Sequence, residues 1–137
     1  ALANQASNLV TLCASCHHKA EVSVMVRSGL AAAAYALRSI APLLVMCDRE
    51  DISLLSENRS ILNDSNPAIL VYDNIPGGIG LSRKLYDLRN SWIERAVEVI
   101  QSCPCESGCP ACVGPVGEPG YGGKSEALAL LKGLRSG

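Results

Sequence analysis

Among its 137 residues the sequence has no phenylalanine, one tryptophan and four tyrosines, so a core must be built from Leu, Val, Ile and Ala. It also lacks net charge. Twelve Lys and Arg oppose thirteen Asp and Glu, a formal −1, which excludes a global field drawing in nucleic acid or anionic membrane. Polyanion binding is left to a local patch. No secretory leader is visible, and no unbroken apolar run reaches the roughly 20 residues of a membrane span. The longest candidate, GLAAAAYALRSIAPLLVMC, is interrupted by Arg38 and Pro42. There is no initiator methionine either, and an opening of ALANQASNLVTLC reads as the C-terminal piece of something longer. What is abundant is hydrophobic content, 48% against 18% charged residues, which marks a folded chain of one-domain size. Seven cysteines cannot all pair within one chain. Without a signal to an oxidising compartment, reduced thiols serving a metal in a cytoplasmic protein are the expectation.

Residues 1–27 form a Cys/His-containing segment around LCASCHHK, and residues 28–137 form the main domain. Leu30, Ala34, Leu37 and Ala41 recur at helical spacing and predict a helix over Ser28–Ala41, stopped by Pro42. LLVMC, Leu43 to Cys47, is a short apolar run of strand length. A polar, turn-rich connection with room for one short helix follows, and AILVYD, Ala68 to Asp73, reads as a second buried strand. After the turn NIPGGIG, a long helix is predicted from Leu81 to about Ser102, with Leu85, Leu88, Trp92, Ala96 and Val99 as its apolar stripe. A last helix has Ser125 as its N-cap and Leu128, Leu131 and Leu134 as its buried edge. The class implied is α/β: a small, mostly buried sheet flanked by helices, ending in a cysteine knuckle.

That knuckle is CPCESGCPAC, with four thiols inside ten residues. Zinc takes about four soft or borderline ligands in a tetrahedron. Cys109 and Cys112 have the C-x-x-C spacing of a tight turn. Cys103 and Cys105 come from an extended dipeptide, because Pro104 keeps its predecessor out of the helical region. Gly108 permits the chain reversal between the pairs. Two disulfides here would strain geometry and close loops too short to matter. A redox C-x-x-C would not have two more thiols beside it, and an iron–sulfur cluster suits wider spacing. The expected cofactor is therefore a structural Zn2+ on Cys103, Cys105, Cys109 and Cys112, locking the long helix to the last one.

A second informative stretch is VYDNIPGGIGLSRKLYD. Asp73 ends a strand, and Gly77, Gly78 and Gly80 precede a helix whose positive N-terminus could meet a phosphate. The plain alternative is a tight turn needing glycine for its dihedrals, and glycine counts do not separate the two. GEPGYGGKSE nearly spells a phosphate-binding loop, but Glu118 stands where its first glycine belongs and no buried strand precedes it.

Together, APLLVMCDREDI, AILVYDNIPGGIGLSRKLYD, CPCESGCPACVGP and GKSEALALLKGL closely resemble the C-terminal zinc-binding domain of mitomycin-repair-factor-A-type DEAD/H-box helicases. The resemblance runs from about Leu30 to Leu134. It implies that the four knuckle cysteines are zinc ligands and that the parent protein is an ATP-dependent helicase translocating on single strands in DNA repair or, in related proteins, phage defence. ATP would bind only to motor domains absent from this sequence, which has no acidic Walker B strand and no room for two RecA-like lobes. Family members often carry histidines where this chain has Ala31 and Tyr35, so no role for those histidines transfers. The implied function is a non-catalytic accessory domain that braces the motor domains or guides single-stranded DNA, with no membrane partner. Candidate DNA contacts are Arg83, Lys84, Arg89 and Lys124.

NLVTLCASCHHKAE resembles the second half of a zinc-containing HNH nuclease motif, with Asn8, Cys13, Cys16 and His17 at its positions. The first half is missing, and half a constellation cannot both polarise a phosphate and activate water. Two alternatives accompany the accessory-domain reading: a nuclease fragment and a pure protein-interaction module. A second metal on Cys13, Cys16 and His17, with His18 or Cys47 completing it, is a further expectation.

Overall fold

One helix supplies the wall on which everything else packs. In the computed structural model, which describes residues 13–115 and 123–136, α1 runs from Ala14 to Val45, 32 residues. Its middle is dense in alanine, and Ala32, Ala33, Ala34 and Ala36 are all buried. Small side chains there let neighbouring elements come close. The helix expected from Ser28 thus starts at Ala14 and crosses the 27/28 boundary.

Pro42 does not stop it. A proline withdraws the bond to the carbonyl four residues back and crowds that carbonyl, and α1 carries Pro42 within its last turn and continues to Val45. The helix ends at Met46, whose left-handed backbone (φ 54°, ψ 58°) turns the next N–H, that of Cys47, onto the Pro42 carbonyl at 3.4 Å. The strand expected at Leu43–Cys47 is therefore the end of α1. Five apolar residues fit a buried strand or a helix end equally well, and here Val45 is buried while Leu43 is 80% exposed. By length and composition α1 could cross a membrane. Its apolar positions, Leu30, Leu37, Ile40 and Val45 among them, are instead buried within this domain.

The sheet is an antiparallel hairpin of β1 (Ile52–Ser60) and β2 (Asn66–Asp73), joined through a 3-10 turn at Ile61–Asn63. Ile52 pairs with Asp73 and Glu57 with Ala68, with an irregularity before Ser60 meets Asn66. β1 lies in the stretch expected to be a polar connection. Its ISLLSENRS reads polar because a two-stranded sheet has a solvent face and two free edges. Both strands are half-buried rather than mostly buried, with only Ile52 and Ser60 fully enclosed.

The long helix from Leu81 is two: α2 (Leu81–Asp87) and α3 (Arg89–Ser102), which meet at Leu88 (φ −93°, ψ 13°). That break rotates the stripe. Leu85, Trp92 and Ala96 are buried as expected, but Leu88 and Val99 face solvent while Ile93, Val97 and Ile100 point inward. Trp92 donates its indole N–H to the Leu37 carbonyl at 2.8 Å, tying α3 to α1. Finally α4 (Lys124–Ser136) buries Ala127 and Leu131, half-buries Leu128 and leaves Leu134 55% exposed. Gly123, not Ser125, precedes it. α4 presses so closely on α1 that a Cβ at Gly29 would lie 2.9 Å from the Glu126 Cβ.

Candidate metal centre

α3 delivers its last turn into Cys103, whose extended backbone (φ −69°, ψ 129°) leads the arm through Pro104 to Cys105. Gly108 reverses the chain at φ 123°. The backbone N–H groups of Cys112 and Val113 then both donate to the Cys109 carbonyl at 3.1 Å, closing a tight turn. The sulfurs converge: Cys103 to Cys109 at 3.5 Å, Cys105 to Cys112 at 3.5 Å and Cys109 to Cys112 at 3.7 Å. All four lie within 4.8 Å of one another, and no cysteine is disulfide-bonded. A tetrahedron with Zn–S bonds near 2.3 Å has sulfur–sulfur edges of about 3.8 Å. The four thiols fit that ion.

Local electrostatics suit it too. Backbone N–H groups of Cys112 and Ala111 pull the Cys109 thiol down to about 7, while burial pushes Cys112 up to about 12. The second shift is the cost of enclosing a thiolate without a cation, which a bound metal removes. Gly114 follows at φ 80°, under Tyr35 of α1: a Cβ there would sit 2.6 Å from the ring Cδ2. Lys124 closes the other side. Its ammonium donates to the carbonyls of Cys103 (2.8 Å) and Cys105 (2.6 Å).

At the opposite end of α2–α3 the glycine turn resolves its two sequence readings. Asp73 Oδ2 accepts from the N–H groups of Ile79 (3.0 Å), Gly80 (2.9 Å) and Leu81 (3.0 Å), and Oδ1 from Ser82 (2.7 Å). Hydrogen bonds from the Ser82 side chain, then its backbone, hold this carboxyl far below the usual range. The helix N-terminus is thus filled by the chain's own carboxylate, where a phosphate would otherwise sit. Gly77, Gly78 and Gly80 adopt φ of 84°, 65° and 86°. A Cβ at Gly78 would meet no atom closer than 3.6 Å, so it is the positive φ, not crowding by the protein, that calls for glycine here.

Of the candidate DNA contacts, Arg83 and Lys84 are exposed on α2. Arg89 lies over the Tyr86 ring at 4.8 Å and donates to the Tyr86 carbonyl at 3.2 Å. Lys124 is turned into the knuckle, away from that group's helix. At the amino end, Cys13 caps α1 and its sulfur accepts from the Cys16 N–H at 3.4 Å, which lowers the Cys13 thiol. Asn8 and the His17 side chain lie outside the described residues, and His18 is exposed. Among the described residues no third ligand joins Cys13 and Cys16. Cys47 cannot: α1 separates it from Cys16 by about 45 Å at 1.5 Å per residue. Sequence reasoning missed the Gly114–Tyr35 contact and the inward turn of Lys124, which join residues far apart in the chain and leave no local signal.

A long alanine-rich helix, a hairpin, a glycine turn closed by its own aspartate and a four-thiol knuckle define a small zinc-binding domain. The chain belongs to the MrfA Zn-binding domain family, whose model matches residues 33–113. It is 38% identical over 95 residues to the uncharacterised ATP-dependent helicase YprA of Bacillus subtilis (strain 168), covering 69% of this chain and 12% of that helicase. It is 31% identical over 77 residues to the uncharacterised protein MJ1572.1 of Methanocaldococcus jannaschii, covering 54% of this chain and 68% of that protein. Among solved structures it resembles the DUF1998 helicase MrfA bound to DNA, with a TM-score of 0.74 and 33% identity over 82% of this chain and 15% of that one. The same helicase bound to DNA and AMPPNP gives a TM-score of 0.62 and 32% identity over 83% and 14%.

Proposed function

We propose that the chain is a non-catalytic, zinc-stabilised accessory domain of an ATP-dependent DNA helicase, bracing the motor domains and guiding single-stranded DNA in repair or defence in the cytoplasm. The observation that carries this reading is the set of four sulfurs at tetrahedral separations where α3 hands over toward α4. Four thiolates fill zinc's coordination and leave no position for an activated water, so the ion's role is structural. ATP belongs to motor lobes outside this chain. The solved relative whose fold it shares is described as a helicase bound to DNA and AMPPNP, which supports that setting.

The guiding role falls to α2 and the start of α3. Arg83 and Lys84 are exposed and, among the described residues, form no ion pair. Beside them the Arg89–Tyr86 stack offers a flat cationic face with Tyr86 61% exposed. Backbone charge and base stacking are the two terms of sequence-independent single-strand binding. The bracing role is favoured by the hairpin tip, where Ile61 is 95% and Leu62 81% exposed. Filter binding of the helicase carrying this domain, over a salt series, tests the guiding role. Replacing Arg83, Lys84 and Arg89 together by Gln is expected to lower single-strand affinity and flatten the salt slope by about 2. An unchanged slope removes the guiding role and leaves the brace.

A further inference from the structure

The run Gly123-Lys124-Ser125 imitates the end of a phosphate loop, yet both hydrogen-bond donors of its lysine are turned onto the knuckle. The Lys124 backbone N–H donates to the Ser107 carbonyl at 3.2 Å. Its ammonium donates to the Cys103 carbonyl at 2.8 Å and the Cys105 carbonyl at 2.6 Å, and reaches the Cys105 sulfur at 3.6 Å. An ammonium has three protons, and here three acceptors on one ligand arm take them. The arm needs such a strut. Pro104 at its centre has no N–H to donate, and Cys103, Cys105 and their carbonyls sit past the end of α3, where helix bonding stops.

Charge points the same way. Four thiolates around a divalent cation leave an excess of about two negative charges. A half-buried ammonium within reach of one sulfur is a fixed counter-charge for that excess. We propose that Lys124 is a positioning residue of the metal centre: it holds the Cys103–Cys105 arm in register and offsets the negative charge of the ligand set. It therefore governs how long the ion stays. Because Lys124 is also the first residue of α4, the same contacts couple metal retention to the docking of that helix on α1. This inference rests on the tetrathiolate reading of the knuckle.

The test compares the zinc-loaded parent with Lys124→Gln and Lys124→Arg, following zinc release into a chromogenic chelator. Gln is expected to release zinc about 10-fold faster or more, the usual effect of losing an outer partner of a metal ligand. Arg keeps the charge but not the compact three-way geometry, and falls between. In cobalt-substituted protein, Gln should move the thiolate-to-metal charge-transfer band to lower energy, because the Cys105 thiolate loses a hydrogen bond. The Gln variant should lose more melting temperature against the parent in the zinc-loaded form than in the stripped form. Equal release rates overturn the proposal. So does a Gln variant whose stripped and loaded forms lose equal stability, since that marks a packing role only. A parent that binds neither zinc nor cobalt overturns the tetrathiolate reading itself, an outcome distinct from parent and variant holding metal equally well.

Discussion

The two ends of the α2–α3 pair solve opposite electrostatic problems. At the start, the unpaired N–H groups around α2 attract an anion, and the Asp73 carboxylate accepts four of them at 2.7–3.0 Å. At the far end, the four thiols of the knuckle crowd together at 3.5–3.7 Å, with the Lys124 ammonium beside the Cys105 sulfur. The first device is complete within the chain. The second is complete only with an ion, because thiolates so close repel and burial raises the cost of each. A turn can be closed by its own side chain when the missing partner carries one charge. A tetrathiolate needs two positive charges at a single point, which no side chain supplies.

Chelation should sharpen that contrast most. Removing zinc, or replacing Cys112 by Ser, withdraws a contribution on the order of 10 kcal/mol in small structural zinc sites. Hydrogen exchange is expected to show lost protection at the end of α3 and throughout α4, while the β1–β2 hairpin and the Asp73 turn stay protected. Loss spread evenly over both ends would break the comparison.

Next in size is Gly114→Ala. It meets the Tyr35 ring at 2.6 Å and forces a side chain onto φ 80°, so denaturant unfolding should report a loss of about 2–4 kcal/mol. Adding Tyr35→Ala relieves the overlap but not the dihedral, and is expected to restore the steric part alone.

Acid separates the two ends with the smallest effect. Protons compete with the metal for all four thiolates, so zinc retention should weaken steadily as pH falls. Asp73 has a depressed folded pKa, so its stabilisation is present above the unfolded carboxylate value near 3.9 and fades only as pH falls below it. Asp73→Asn should be less stable than the parent at neutral pH and should flatten the parent's decline below about pH 4. A parent that loses stability at the turn before it loses zinc would reverse the order.

How much of this was legible depends on how far apart the partners lie. The second strand and the final helix were readable from period and turn residues, although α4 starts at Lys124 with the expected cap Ser125 inside it and leaves Leu134 exposed. The stretch after Pro42 was not. LLVMC carries no periodicity, and only the packing of Val45 makes it a helix end. β1 was hidden because its outward positions are polar and its partner supplies the hydrogen bonds. The helix stripe was legible at Leu85, Trp92 and Ala96, but the break leaves Leu88 exposed, and Val97 and Ile100 rather than Val99 turn inward beyond it.

The sequence alone determined the knuckle, since four cysteines within ten residues cannot avoid one another and two prolines and a glycine limit the paths between them. It likewise determined that glycines would stand at the turn before α2, because those dihedrals belong to single residues. The tertiary structure decided what each site faces. That Asp73 rather than a phosphate fills the helix end, that Lys124 serves the thiols and that Tyr35 covers Gly114 all depend on chain segments brought together by burial of the α1 face. Local chemistry selects the donors, and only packing across the core selects their partners.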